Sequence, residues 1–157
     1  GSIVEILLKK SKTETVHVTD ERMTRFWLNL EQTFKLVLFA LEHMEGGEIF
    51  IPKAPTMKVI DLFNVIVPKA KKKIIGIRPG EKLHEILLIA DEARHTIELD
   101  DYFVILPEHI EIDQKRFNKF SRTNRRIEEG FCFTSDNLTL CLSKEELLKV
   151  VEKMKND

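Results

Sequence analysis

The chain has 157 residues, of which 43% are hydrophobic and 32% charged, and its formal net charge is -1. This balance is typical of one soluble globular domain, and it offers no overall basic excess that would indicate a nucleic-acid-binding protein. Two cysteines cannot build a disulfide framework, so a reducing, cytoplasmic setting is the simpler expectation. No apolar run approaches the roughly 18 residues that a membrane-spanning helix requires, so we expect no membrane span.

The first third of the chain alternates between predicted helices and strands. Residues 3–10 have the apolar spacing of a helix, and residues 16–19 alternate as a short strand does. Asn29 and Gln32 predict a capping pair that begins a second helix. The apolar residues of this helix share one face, which is the face we expect it to bury: Leu30, Phe34, Val37, Leu38 and Leu41.

The middle of the chain continues the alternation. Residues 48–52 have little polar content and predict a strand buried on both faces of a parallel sheet. A further helix follows, whose predicted apolar face consists of Val59, Leu62, Phe63 and Ile66. Alternation of helix and strand in this manner indicates the α/β class.

The last part of the chain has α+β character. Residues 95–106 predict two strands bent at Asp100-Asp101, and Ser143 with Glu146 predicts a capping box that begins the closing helix. Residues 107–130 are polar and irregular, and we interpret them as a possibly mobile arm. Basic residues and two phenylalanines alternate within that arm, which raises nucleic-acid binding as an alternative. Acidic residues flank them, however, so a solvated arm with no nucleic-acid partner is favoured.

A tight turn at Pro79-Gly80 follows a short apolar run, residues 74–77, which predicts a buried strand. Arg78 and Glu81 flank the turn. A guanidinium offers a planar fork of donors to a phosphate, and a carboxylate accepts hydrogen bonds from sugar hydroxyls. Two interpretations stay open: a surface salt bridge beside an ordinary turn, or a site for a ligand that carries both phosphate and sugar groups.

Arg25 lies among large apolar side chains between Met23 and Trp27. An arginine in such a place must find an anion or lose hydration without compensation. One possibility is an acidic neighbour in the sequence, and the candidates are Asp20, Glu21 and Glu31. The other is a ligand, because Arg25 and Arg78 together could clamp a diphosphate.

No catalytic machinery is evident in the sequence. The glycines form no phosphate-binding loop, Tyr102 has no lysine four residues later, and the histidines lack metal-ligand spacing. Lys53 follows the end of a predicted strand, where ligands gather in open α/β sheets. We therefore expect binding residues, with no catalytic residue and no metal ligand.

Three blocks of the sequence resemble the UDP-N-acetylglucosamine 4,6-dehydratases, which are extended short-chain dehydrogenase/reductase enzymes of bacterial polysaccharide and flagellin-sugar biosynthesis. The blocks are Thr19-Asp-Glu-Arg-Met-Thr-Arg-Phe-Trp27, Gly47-Glu-Ile-Phe-Ile-Pro-Lys53 and Gly76-Ile-Arg-Pro-Gly-Glu-Lys-Leu-His-Glu85. Their order and spacing match the C-terminal half of the family. The resemblance implies that residues 1–157 form a single substrate-binding domain that lacks the Rossmann half.

The resemblance also implies a reaction and a set of contacts. In the family, NAD takes a hydride from C4 of the sugar, water leaves across C5–C6, and the hydride returns to C6. The motif that ends at Glu85 favours the branch that also inverts C5. By the same resemblance Arg25 and Arg78 contact the diphosphate of a UDP-sugar and Glu81 contacts its ribose, whereas Lys53 and His84 match the motifs without an assigned role.

The resemblance implies that the complete enzyme is a lyase that uses NAD(P), and that its catalytic Tyr/Lys pair and cofactor site lie in the missing half. We expect that half to be supplied in cis or in trans, and this chain alone to bind no cofactor. Residues 48–52 would then extend a sheet whose other strands are missing, and this exposed edge favours a homo-oligomer. The alternative is a non-catalytic interaction module that retains the fold without the ligand.

Overall fold

The computed structural model describes residues 3–9, 14–107, 120 and 126–156, so most of the arm predicted at 107–130 lies outside the described residues. Its helices are α1 (Ile3–Lys9), α2 (Leu30–His43), α3 (Val59–Ile66), α4 (Ala90–Ala93) and α5 (Lys144–Asn156). Its strands are β1 (Val16–Val18), β2 (Thr24–Phe26), β3 (Ile49–Pro52), β4 (Thr56–Lys58), β5 (Lys72–Ile74), β6 (Ile86–Leu88), β7 (Thr96–Glu98), β8 (Tyr102–Ile105) and β9 (Phe133–Thr134). This mixture confirms the predicted α/β class.

The chain divides into two compact units, each assembled from separate segments. Unit 1 comprises Gly1–Trp27, Pro55–Glu85 and Ser135–Asp157, and unit 2 comprises Leu28–Ala54 and Ile86–Thr134. Whether the two units act as one substrate-binding domain stays a prediction.

Unit 1 holds its core around α3. This helix packs against α1 and α5, and its predicted apolar face is buried as expected: Val59, Leu62, Phe63 and Ile66. Strand β1 pairs in parallel with β5, and β2 pairs antiparallel with β4. The capping box that begins α5 is confirmed, because the Glu146 N–H donates to Ser143 Oγ and the Ser143 N–H donates to Glu146 Oε2.

The strand predicted at residues 74–77 is wrong in both its bounds and its burial. Strand β5 ends at Ile74, and the isoleucines of the run are exposed: Ile74, Ile75 and Ile77. Gly76 has a φ of +85°, a left-handed conformation that ends the extended backbone. The apolar run alone could not reveal that break.

Unit 2 contains a three-stranded antiparallel sheet in the order β3-β8-β7, and a separate antiparallel pair, β6-β9. Strands β7 and β8 are confirmed, and Leu99 N–H donates to Tyr102 O across the predicted bend between them. The prediction that residues 48–52 belong to a parallel sheet is wrong, because β3 pairs antiparallel with β8. Strand β3 is at the edge of this sheet, where only Ile51 among its residues is buried.

Helix α2 begins as predicted but packs on a different side. Asn29 Oδ1 accepts from the Gln32 N–H, and Gln32 Oε1 accepts from the Asn29 N–H. The residues of the expected buried face are all exposed: Leu30, Phe34, Val37, Leu38 and Leu41. Instead Phe39 stacks on Tyr102 with ring centroids 4.5 Å apart, so an aromatic contact with β8 selects the packed side.

No described helix is long and apolar enough to cross a bilayer.

Candidate functional site

The turn that carries Arg78 and Glu81 is closed by its own backbone and side chain. The Glu81 N–H donates to Arg78 O over 3.0 Å, and Gly80 has the positive φ, +81°, that a type II turn with Pro79 requires. Glu81 Oε2 accepts from the Arg78 N–H at 3.2 Å. The carboxylate therefore braces the turn, and among the described residues no acidic group forms a salt bridge with the exposed Arg78 guanidinium.

Arg25 attaches the segment before Glu85 to strand β2. Its Nη1 donates to Thr24 O at 2.7 Å and to Leu83 O at 3.2 Å, and its Nη2 donates to Lys82 O at 2.9 Å. Its Nε lies 3.5 Å from Glu85 Oε1. These contacts engage both hydrogens of Nη1 and one of Nη2, and the described residues offer the second hydrogen of Nη2 no acceptor.

The acidic partner of Arg25 is Glu85, and none of the acidic residues considered from the sequence contacts it among the described residues. Asp20 instead accepts hydrogen bonds from Nε and Nη2 of Arg22, at 3.0 and 2.9 Å, and from the Arg22 N–H. These hydrogen bonds, the side-chain ones most of all, lower the pKa of Asp20 from 3.8 to about 2. Glu85 follows the loop that runs beside β2, a proximity that sequence spacing could not show.

His84 contacts one buried hydroxyl group, which contacts a second, and the sequence singled out neither of them. Its Nδ1 lies 2.8 Å from Thr24 Oγ1, which in turn lies 2.7 Å from Ser135 Oγ. Thr24 belongs to the first of the three sequence blocks, so its membership of that block could have identified it as a candidate. Ser135 is 111 residues from Thr24 and carried none.

Lys53 lies in unit 2, whereas the other four predicted site residues lie in unit 1. Its Nζ is 2.9 Å from Glu98 Oε1 and 5.0 Å from the centroid of the Phe103 ring. It lines a cavity of about 230 Å³ together with Gln32, Lys35 and Tyr102. Its cation is already compensated by a carboxylate and an aromatic face, so this geometry assigns it no ligand.

A model of the polysaccharide biosynthesis protein family matches residues 1–107. The chain belongs to this family. It is 41% identical over 156 residues to a UDP-N-acetylglucosamine 4,6-dehydratase (inverting) of Campylobacter jejuni subsp. jejuni serotype O:2, an alignment that covers 96% of this chain and 47% of that protein. This similarity confirms the resemblance found in the sequence blocks.

Two further proteins also match this chain over somewhat less than half of their own length. A UDP-glucose 4-epimerase of Rickettsia rickettsii is 31% identical, over 99% of this chain and 48% of the epimerase. The X-ray structure of Pen from Bacillus thuringiensis is similar in fold, with a TM-score of 0.78 and 30% identity, over 99% of this chain and 45% of that one. The chain therefore spans about half the length of the curated relatives it matches.

Three of the predicted site residues of unit 1 carry groups that can bind a ligand. The described residues provide a guanidinium at Arg78, a carboxylate at Glu81 and an imidazole at His84. They contain no group of three histidine, cysteine or acidic side chains that could hold a metal ion. An arginine with a neighbouring carboxylate suits a ligand that combines anionic and hydroxyl groups.

Proposed function

We propose that this chain binds the nucleotide part of a UDP-sugar in a UDP-N-acetylglucosamine 4,6-dehydratase that inverts C5. The observation that carries the proposal is the 41% identity to the inverting Campylobacter enzyme, which extends over 96% of the chain. The pathway we propose is bacterial surface-polysaccharide or flagellin-sugar biosynthesis, in the cytoplasm. The position of Arg78 and Glu81 on one braced turn supports this function.

In this proposal Arg78 binds the diphosphate of the ligand and Glu81 binds its ribose. The exposed guanidinium of Arg78 faces no competing carboxylate among the described residues, so a diphosphate can take its donors in a bidentate manner. Glu81 Oε2 accepts a hydrogen bond from the Arg78 N–H, and Glu81 Oε1 can accept hydrogen bonds from the ribose hydroxyls. Bracing by Oε2 also limits the freedom of both side chains, which lowers the entropic cost of binding.

Arg25 contributes less than Arg78 to the proposed binding of the diphosphate. Only one Nη2 hydrogen is available to the diphosphate, since the guanidinium already holds the carbonyl oxygens of Thr24, Lys82 and Leu83. Its main effect is to fix the segment that follows the turn.

The proposed reaction needs a nicotinamide cofactor, which supplies hydride transfer. The sequence has no glycine-rich dinucleotide loop, so we assign none of its residues to NAD(P). We propose that a Rossmann half, in cis or in trans, holds the cofactor and the catalytic Tyr/Lys pair. Association of two or more copies of the complete enzyme belongs to the same proposal.

Titration of the purified chain with UDP, followed by calorimetry, tests the binding function. We expect saturable binding that is weakened about tenfold by Arg78→Ala, the size of one charge-assisted hydrogen-bonded contact. Glu81→Ala should weaken it as well. Lys69→Ala and Glu152→Ala remove exposed charges elsewhere in unit 1 and serve as matched controls. Equal affinity of Arg78→Ala and Lys69→Ala for UDP would contradict the assignment.

The alternative is an interaction module that retains the fold without the ligand. The engagement of Arg25 with three backbone carbonyls favours it, because a purely structural arginine would make these same contacts. This alternative predicts no saturable UDP binding by a chain whose circular dichroism shows that it is folded.

A further inference from the structure

Two hydroxyl side chains, those of Ser135 and Thr24, connect the interior of unit 1 to His84. Ser135 is 0% exposed and Thr24 is 3% exposed, whereas His84 is half-buried. The Ser135 and Thr24 hydroxyl oxygens are 2.7 Å apart, and Thr24 Oγ1 is 2.8 Å from His84 Nδ1. The Glu85 N–H donates to Ser135 Oγ over 2.8 Å. We name this connected set, Ser135, Thr24 and His84, the hydroxyl relay.

The direction of donation along the relay follows from the burial of Ser135. Its oxygen already accepts from Glu85, and among the described residues the remaining partner of its hydroxyl is Thr24 Oγ1. If Ser135 donates to Thr24, Thr24 donates to His84 Nδ1 and each hydroxyl hydrogen has an acceptor. The reverse direction leaves the Ser135 hydrogen without a partner and without access to water, which is unfavourable.

A nitrogen that accepts a hydrogen bond carries no proton, so the relay places the imidazole hydrogen on Nε2. The segment that carries the ring is fixed independently, because Arg25 donates to the carbonyl oxygens of Lys82 and Leu83. The described residues offer His84 Nε2 no hydrogen-bond acceptor. The nearby carboxylate of Asp20 is engaged by Arg22.

We propose that His84 presents a fixed Nε2–H donor to a diphosphate oxygen of the ligand bound at the Arg78–Glu81 turn. This inference rests on the proposed UDP-sugar function and deepens it. His84 lies three residues beyond Glu81, and Arg25 holds the two residues between them through the carbonyl oxygens of Lys82 and Leu83. The guanidinium groups of Arg78 and Arg25 both favour an anionic oxygen as acceptor. The relay makes His84 a donor without requiring that the ring be charged.

Nitrogen-15 NMR of the full chain, labelled at histidine, tests the relay without any ligand. We expect the Nε2–H tautomer at His84, and a mixture of tautomers at the exposed His17, which is the internal control. Ser135→Ala and Thr24→Val should each shift His84 toward a mixture, whereas Thr24→Ser should retain the Nε2–H form. A predominant Nδ1–H tautomer at His84 in the unsubstituted chain would overturn the inference.

Two substitutions of His84 separate its donor from its structural contact. His84→Asn keeps an acceptor near the position of Nδ1 and has no donor at the position of Nε2, whereas His84→Gln can place an amide N–H near that position. We expect His84→Asn to weaken UDP binding about tenfold and His84→Gln to retain most of the affinity. Uridine, which has no phosphate, should bind the two variants equally.

The outcomes distinguish this inference from the function it rests on. If Arg78→Ala weakens UDP binding and His84→Asn does not, the proposed function stands and the role of His84 is wrong. Equal losses of UDP and uridine affinity in His84→Asn would also overturn a contact with the diphosphate. If the unsubstituted chain binds no UDP, the proposed function fails and the ligand contact of His84 fails with it, whereas the NMR result still decides the relay.

Discussion

The Arg25 guanidinium donates to the carbonyl oxygen of Leu83, 3.2 Å away, although 58 residues separate the two. The Thr24 N–H donates to the same carbonyl oxygen at 3.1 Å. One acceptor thus receives a backbone and a side-chain donor from neighbouring residues of β2. The segment that leads to His84 and Glu85 depends on this arrangement for its position.

Arg25→Ala should lower the free energy of unfolding by about 1–3 kcal/mol, because it removes charge-assisted hydrogen bonds to three carbonyl groups. Urea denaturation measures the change. The control is Lys69→Ala, since Lys69 is exposed and forms no salt bridge among the described residues. An equal loss in the two variants would show that Arg25 does not hold the segment.

The Asp20 carboxyl should titrate near pH 2 in the folded chain, where hydrogen bonds from Arg22 hold its pKa below the ordinary 3.8. A folded pKa below the unfolded one means that ionised Asp20 adds stability above about pH 4, and that this stability is lost as the pH falls toward about 2. Carbon-13 NMR of the carboxyl group measures the pKa. In Arg22→Ala we expect the pKa of Asp20 to return toward 3.8. The difference in unfolding free energy between Arg22→Ala and the unsubstituted chain should then become smaller as the pH falls from about 4 to about 2.

Gly47→Ala should destabilise the chain more than Gly46→Ala. Both glycines have positive φ, +86° and +126°, so any side chain adds backbone strain of about 1–3 kcal/mol. A Cβ on Gly47 would also lie 2.8 Å from Cγ of Pro107, whereas a Cβ on Gly46 meets no atom within 4 Å. Thermal denaturation compares the variants, and equal melting temperatures would exclude the predicted clash with Pro107.

Leu88→Ala and Leu30→Ala test where unit 2 has its core. Leu88 is 0% exposed in β6, so its truncation should cost about 2–5 kcal/mol. Leu30 is 85% exposed in α2, and its truncation should change the free energy of unfolding by no more than about 0.5 kcal/mol. Urea denaturation distinguishes them, and a large loss in Leu30→Ala would mean that the apolar face of α2 is covered in solution.

Features that depend on neighbouring residues could be predicted from the sequence. The capping pair of Asn29 and Gln32 and the buried face of α3 follow from local rules about helix ends and helical spacing. The turn at Pro79-Gly80 follows from the backbone preferences of its two residues. Each of these was confirmed because no distant partner was needed to specify it.

Features that depend on long-range pairing could not be predicted in this way. The apolar run in β3 fitted a parallel sheet, but β8 supplied an antiparallel partner, and periodicity does not distinguish the two. Helix α2 has apolar residues on more than one side, and the contact between Phe39 and Tyr102 decided which side packs. Glu85 as the partner of Arg25, and Ser135 behind His84, were hidden by sequence distance. The ligand contacts of Arg25, Arg78 and Glu81 stay predictions, as does a role for Lys53.

Glu85 and Ser135 bind each other through two hydrogen bonds, from Glu85 N–H to Ser135 Oγ and from Ser135 N–H to Glu85 O, both 2.8 Å long. They are also the residues at which the chain leaves unit 1 and returns to it, before and after Ile86–Thr134. The two ends of that excursion are thereby joined by contacts that involve no residue between them. An insertion in a surface loop of the excursion should therefore leave Glu85 and Ser135 in place.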